Sequence, residues 1–137
     1  MLAAIWAGVL LCIATIATPA AFGALPAADA GRVAARIFAI EAPLSLGFAA
    51  FLYFVARREA RRVAAAGRGS VVSTDVLLVL ATLFCTVAGY YALQPMLAQA
   101  RAGQGAWSFG ALHAASLAFF GVKGVLVLLL AWRLARR

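Results

Sequence analysis

The sequence predicts an all-α integral membrane protein: one four-helix transmembrane bundle with both termini in the cytoplasm. Three observations point there. Of the 137 residues, 66% are hydrophobic and only 12% charged, whereas soluble domains are near half apolar and about a quarter charged. The apolar residues fall into four runs, each long enough to cross a hydrocarbon core of about 30 Å. The arginines collect at the ends of these runs. A net charge of +8 on a soluble chain would suggest nucleic acid. Placed at the ends of apolar runs, it reads as a topology signal and a contact for anionic headgroups, so no nucleic-acid partner is expected.

The first span is expected at about residues 2–24. It resembles a secretory signal in having an apolar core followed by small residues, yet no Lys or Arg precedes that core and the run is longer than a signal core. It is therefore expected to be retained. Ala4, Gly8, Cys12, Thr15 and Pro19 share a face, a strip of small residues suited to close helix packing. Pro19 is expected to kink or end the helix, and Pro26 and Asp29 mark the turn into the next one.

The second span, about 33–56, contains Glu41, with Ser45, Phe48 and Leu52 on the same face. It leads into RREARR at 57–62, read as part of a basic loop. Arg57, Arg58, Arg61 and Arg62 are the expected contacts with anionic lipid headgroups, each worth about 1 kcal/mol near the surface. The third span, about 75–98, follows a capping cluster at Ser73, Thr74 and Asp75. The fourth, about 108–132, ends in Arg133, Arg136 and Arg137. The positive-inside rule then places the termini and residues 57–73 in the cytoplasm.

The few polar groups inside the spans are the candidate site. Lys123 lies about ten residues from Arg133, roughly 15 Å into the core, and Glu41 about sixteen from Arg57, roughly 24 Å. The roughly 9 Å between these depths is near the reach of two extended side chains. The two are either an ion pair or snorkelling charge that sets helix register, or a polar relay or ligand counter-ion. On the last span His113, Ser116 and Lys123 share a face with Phe120, and such a stripe should look toward protein or water. Glu41, His113, Ser116 and Lys123 thus form the expected intramembrane stripe. His113, the single histidine, also allows proton transfer. The alternative is haem or copper handling, with Met96 as a soft second ligand.

Cys12 and Cys85 show no metal-ligand spacing, and phosphate-binding, GxSxG, HExxH and dinucleotide motifs are absent from the sequence. The expectation is a non-enzymatic accessory or transport-linked component without a cofactor. Gly110, Ala114 and Ala118 form a small-residue line fit for packing inside the bundle or between protomers. A homo-oligomer or a larger membrane complex is therefore expected.

Several short motifs recur in a fixed order: Gly8 in the first span; Pro19, Phe22 and Leu25 at its end; Ala30-Gly31; Phe38; and Phe109, Leu112, His113 and Ser116 as Phe-x-x-Leu-His-x-x-Ser. In these the chain resembles a bacterial four-helix membrane family of unknown function related to transmembrane protein 205. The resemblance implies a multi-pass protein of the bacterial inner membrane and no settled activity. Glu41 and Lys123 depart from it, standing where apolar or aromatic residues are usual.

Overall fold

The computed structural model describes residues 1–136; Arg137 of the basic tail lies outside the described residues. Four helices follow one another: α1 (Leu2–Ala24), α2 (Ala27–Ala65), α3 (Thr74–Arg101) and α4 (Phe109–Ala135). All four are long and apolar enough to cross a membrane. Their connections are short, so successive helices run antiparallel. Around the bundle α1 neighbours α2, α2 neighbours α3, α3 neighbours α4, and α4 closes onto α1.

Local chemistry sets the ends. Pro26 caps α2 in an extended conformation, where its missing N–H costs nothing. Ser73 and Ser108 cap α3 and α4, their hydroxyls accepting from the Val76 and Ala111 amides at 3.3 and 3.2 Å. The second helix is longer than expected at both ends. The RREARR run is helical and not loop, because Ala, Arg and Glu are strong helix formers. Nothing breaks the helix until Gly67 and Gly69, which turn the chain with φ of 71° and 81°. Its 39 residues make a rod of about 58 Å, against a hydrocarbon core of about 30 Å.

The small-residue strip of α1 does not pack in the bundle. Ala4, Gly8, Cys12, Thr15 and Pro19 are all exposed, and the buried face is Ala3, Trp6, Ala7 and Leu10. Small size suits an interface, but the larger Trp6 finds its packing partners and its hydrogen bond on the opposite face. Gly110, Ala114 and Ala118 are likewise exposed, so that line is not an internal seam. The core gathers Trp6, Leu52, Val79, Val127 and Leu130 at the end of the bundle that holds the termini.

Two π-helical turns interrupt the odd-numbered helices, Ile13–Ala17 in α1 and Val87–Ala92 in α3. Each lies just ahead of a proline, Pro19 or Pro95. A proline removes one backbone donor and crowds the carbonyl four residues back, and a wider turn absorbs both effects. Pro19 therefore neither ends its helix nor acts alone.

These turns also mark where the bundle opens. Near the termini, α1 meets α4 through Leu2–Cys12, and α2 meets α3 through Thr74–Thr86. Beyond the π turns, the rest of α1 stays with α2 and the rest of α3 stays with α4. The two helix pairs part, leaving a cleft between them.

The α3–α4 pair is held by a close approach. A Cβ on Gly89 would lie 2.5 Å from the Cβ of Phe119, and the Ser116 hydroxyl donates to the Gly89 carbonyl at 3.1 Å. Gly89→Ala is expected to cost about 1–3 kcal/mol through overpacking. Gly110→Ala, which meets nothing within 4 Å, should be neutral. Thermal melts in detergent check the contrast, and equal midpoints would remove the close approach as a constraint.

Candidate functional site

The cleft has a volume of about 930 Å³, at the upper end of the range for small-molecule sites. It lies on the side of the bundle that carries the α1–α2 and α3–α4 connections. Its polar groups fall at three depths. Arg32 and Arg101 stand near its mouth, Thr18, His113 and Ser116 lie along its walls, and Glu41 and Lys123 form its floor.

The floor is a buried ion pair. Lys123 Nζ donates to Glu41 Oε1 at 2.7 Å and Oε2 at 2.9 Å. Their side chains are each 4% exposed. The two depths that the sequence left roughly 9 Å apart are bridged by the lysine's length, which carries its ammonium along the helix axis. Ser45, one turn after Glu41, donates its hydroxyl to the same carboxylate. That hydroxyl accepts from Trp6 Nε1 at 2.9 Å. The network therefore joins α1, α2 and α4. A carboxylate this deep is tolerated only because charge and hydrogen bonds meet it on several sides.

Two phenylalanines line the cleft beside the pair. Phe38 precedes Glu41 by one helical turn, and Phe120 precedes Lys123 by one turn. Their rings meet edge to face at 5.1 Å, and the Lys123 ammonium lies 5.1 Å from the centre of the Phe120 ring. The aromatic pair thus lines the cleft beside the ions, and burial of the ions in a low local dielectric strengthens their attraction.

The remaining stripe residues lie higher. Ser116 is half-buried and bonded to Gly89. His113 is exposed to the cleft, and its ring stacks on Phe109 with centroids 5.7 Å apart. Met96 is half-buried and does not line the cleft with His113. Among the described residues no group of three or more His, Cys, Asp or Glu side chains is placed to hold a metal ion.

A second ion pair, Arg133 Nε to Asp75 Oδ1 at 3.0 Å, ties α4 to α3 at the opposite end of the bundle. Arg57, Arg58, Arg61 and Arg62 are exposed there. Arg57 donates to the Tyr53 hydroxyl at 2.8 Å, and Arg62 stands 3.9 Å from Glu59. Exposed contacts of this kind contribute about 0–1 kcal/mol.

Trp6, Thr18 and the Phe38–Phe120 pair were not among the site residues expected from sequence. Thr18 lines the cleft, with its Oγ1 buried and without a hydrogen-bond partner. The site offers charge, aromatic surface and enclosed volume, which suit holding a molecule.

Residues 1–106 match the family described as a domain of unknown function, DUF4149. They contain α1, α2 and α3, while α4 with Lys123 follows them. No curated protein and no solved structure matches the chain. By the extent of the family match, the chain belongs to the DUF4149 family.

Proposed function

We propose that this DUF4149 protein is a non-enzymatic, transport-linked component of a bacterial inner membrane, and that it holds a guest molecule in its one-sided cleft. In this reading it sits with both termini and the arginine-rich end of α2 in the cytoplasm, within the branch related to transmembrane protein 205. The cleft then faces the periplasmic side. The arginine distribution supports the orientation: Arg57, Arg58, Arg61, Arg62, Arg133 and Arg136 gather at one end. The observation that carries the functional reading is the cleft of about 930 Å³ that ends on the buried Glu41–Lys123 pair. A cavity open at one end and closed by a tied polar floor suits a component that receives a molecule from one side.

Native mass spectrometry of the purified protein tests this. The wild type should release a bound organic molecule in near-stoichiometric amount. Ala35→Phe and Leu117→Trp, which fill the cleft from α2 and α4, should remove it while leaving the fold intact by circular dichroism. If the filled variants carry the same molecule in the same amount, the cleft is not its seat.

A further inference from the structure

We propose that the guest is an anionic phospholipid, with its phosphate between Arg32 and Arg101 and the upper part of one acyl chain in the cleft. This rests on the reading of the cleft as a guest site and names the guest's chemistry.

Charge at the mouth selects the head. Arg32 and Arg101 come from α2 and α3, at the end where the helix pairs part. The Arg32 guanidinium is shared with Asp29 through an exposed pair. Arg101 lies over the Phe109 ring, 5.0 Å from its centre, and is otherwise exposed. The ring fixes one face of the guanidinium and leaves its edge donors to a ligand. Counting Asp29 with the cleft lining, three cations stand against two carboxylates; Glu41 is matched by Lys123 and Asp29 shares Arg32, which leaves Arg101 as the surplus. The surplus is positive and sits at the mouth, which favours a phosphate without a compensating amine.

The walls select the tail. Phe22, Leu117 and the Phe38–Phe120 pair give an apolar channel, and the ions at its floor are already matched to each other. From Arg32 to Glu41 the channel is about 14 Å deep along the helix axis, enough for the upper part of an acyl chain. The remainder leaves between α1 and α4, where those helices have separated. Thr18 lies on that side, about 9 Å from the end of α1, with a hydroxyl that has no acceptor in the protein. A glycerol-ester carbonyl below the phosphate would supply one.

The test is lipid titration of the delipidated full-length protein, read by native mass spectrometry. The probes are phosphatidylglycerol, phosphatidylethanolamine and oleate. One tightly held phosphatidylglycerol is expected, at least tenfold preferred over phosphatidylethanolamine and not displaced by equimolar oleate. Arg32→Gln with Arg101→Gln should lower its retention at least fivefold. Replacing Arg57, Arg58, Arg61 and Arg62 by Gln should leave that one lipid in place. Loss with the second set and not the first would overturn the proposal, as would equal retention of the two phospholipids or displacement by oleate. A neutral guest that Leu117→Trp still expels would sink the phospholipid and leave the cleft reading standing.

Discussion

Lys123→Leu is expected to lower the stability of the purified protein by about 3–5 kcal/mol, the range for removing one partner of a buried ion pair. The loss comes less from the missing attraction than from what remains: the Glu41 carboxylate, 4% exposed on its side chain, with no cation at that depth. Glu41→Gln combined with Lys123→Leu should recover most of the loss. The glutamine oxygen still accepts from Ser45, and the leucine fills the lysine stem's volume without a charge. Thermal midpoints in detergent, measured for both singles and the double, decide the matter. A silent Lys123→Leu would mean that the pair contributes nothing to the fold.

Trp6→Ala is expected to cost about 3–5 kcal/mol, as for a large aromatic removed from a packed interior. Trp6 is 1% exposed and belongs to the main core cluster, with its ring 5.8 Å from that of Phe48. Trp6→Phe separates the two parts of its role. It retains much of the volume and gives up the indole bond to Ser45, so it should cost about 1 kcal/mol. Denaturant or thermal melts in detergent give both values. Equal losses would show that the hydrogen bond dominates and the packing is incidental.

The four helices were legible because bilayer-length apolar runs are a coarse property, visible without any contact information. Glu41 and Lys123 were legible for a related reason: a charge in such a run is conspicuous, and its depth follows from residue count alone. Other features depend on partners that no local window contains. Trp6 looks like one more apolar residue near a helix start, and only the rotation of α1 shows that it meets Ser45. The same rotation turns Gly8 and Cys12 outward, although their size suggested a packed seam. From sequence the arginine run reads as loop because its charge ends the apolar segment, but charge ends a membrane span and not a helix. The expected spans already run through Pro19 and Pro95; what the prolines do not convey is that each helix takes a π turn ahead of them and that the bundle opens there. The cleft arises from that divergence.

The ribosome makes Glu41 82 residues before Lys123. At about 5–20 residues per second, the acid waits some seconds for its counter-charge. Until α4 is synthesised, α2 is better placed with Glu41 near water than at its final depth. The last helix to emerge is therefore the one that lets the second settle, and a chain stopped short of it would be left with an insertion it cannot complete.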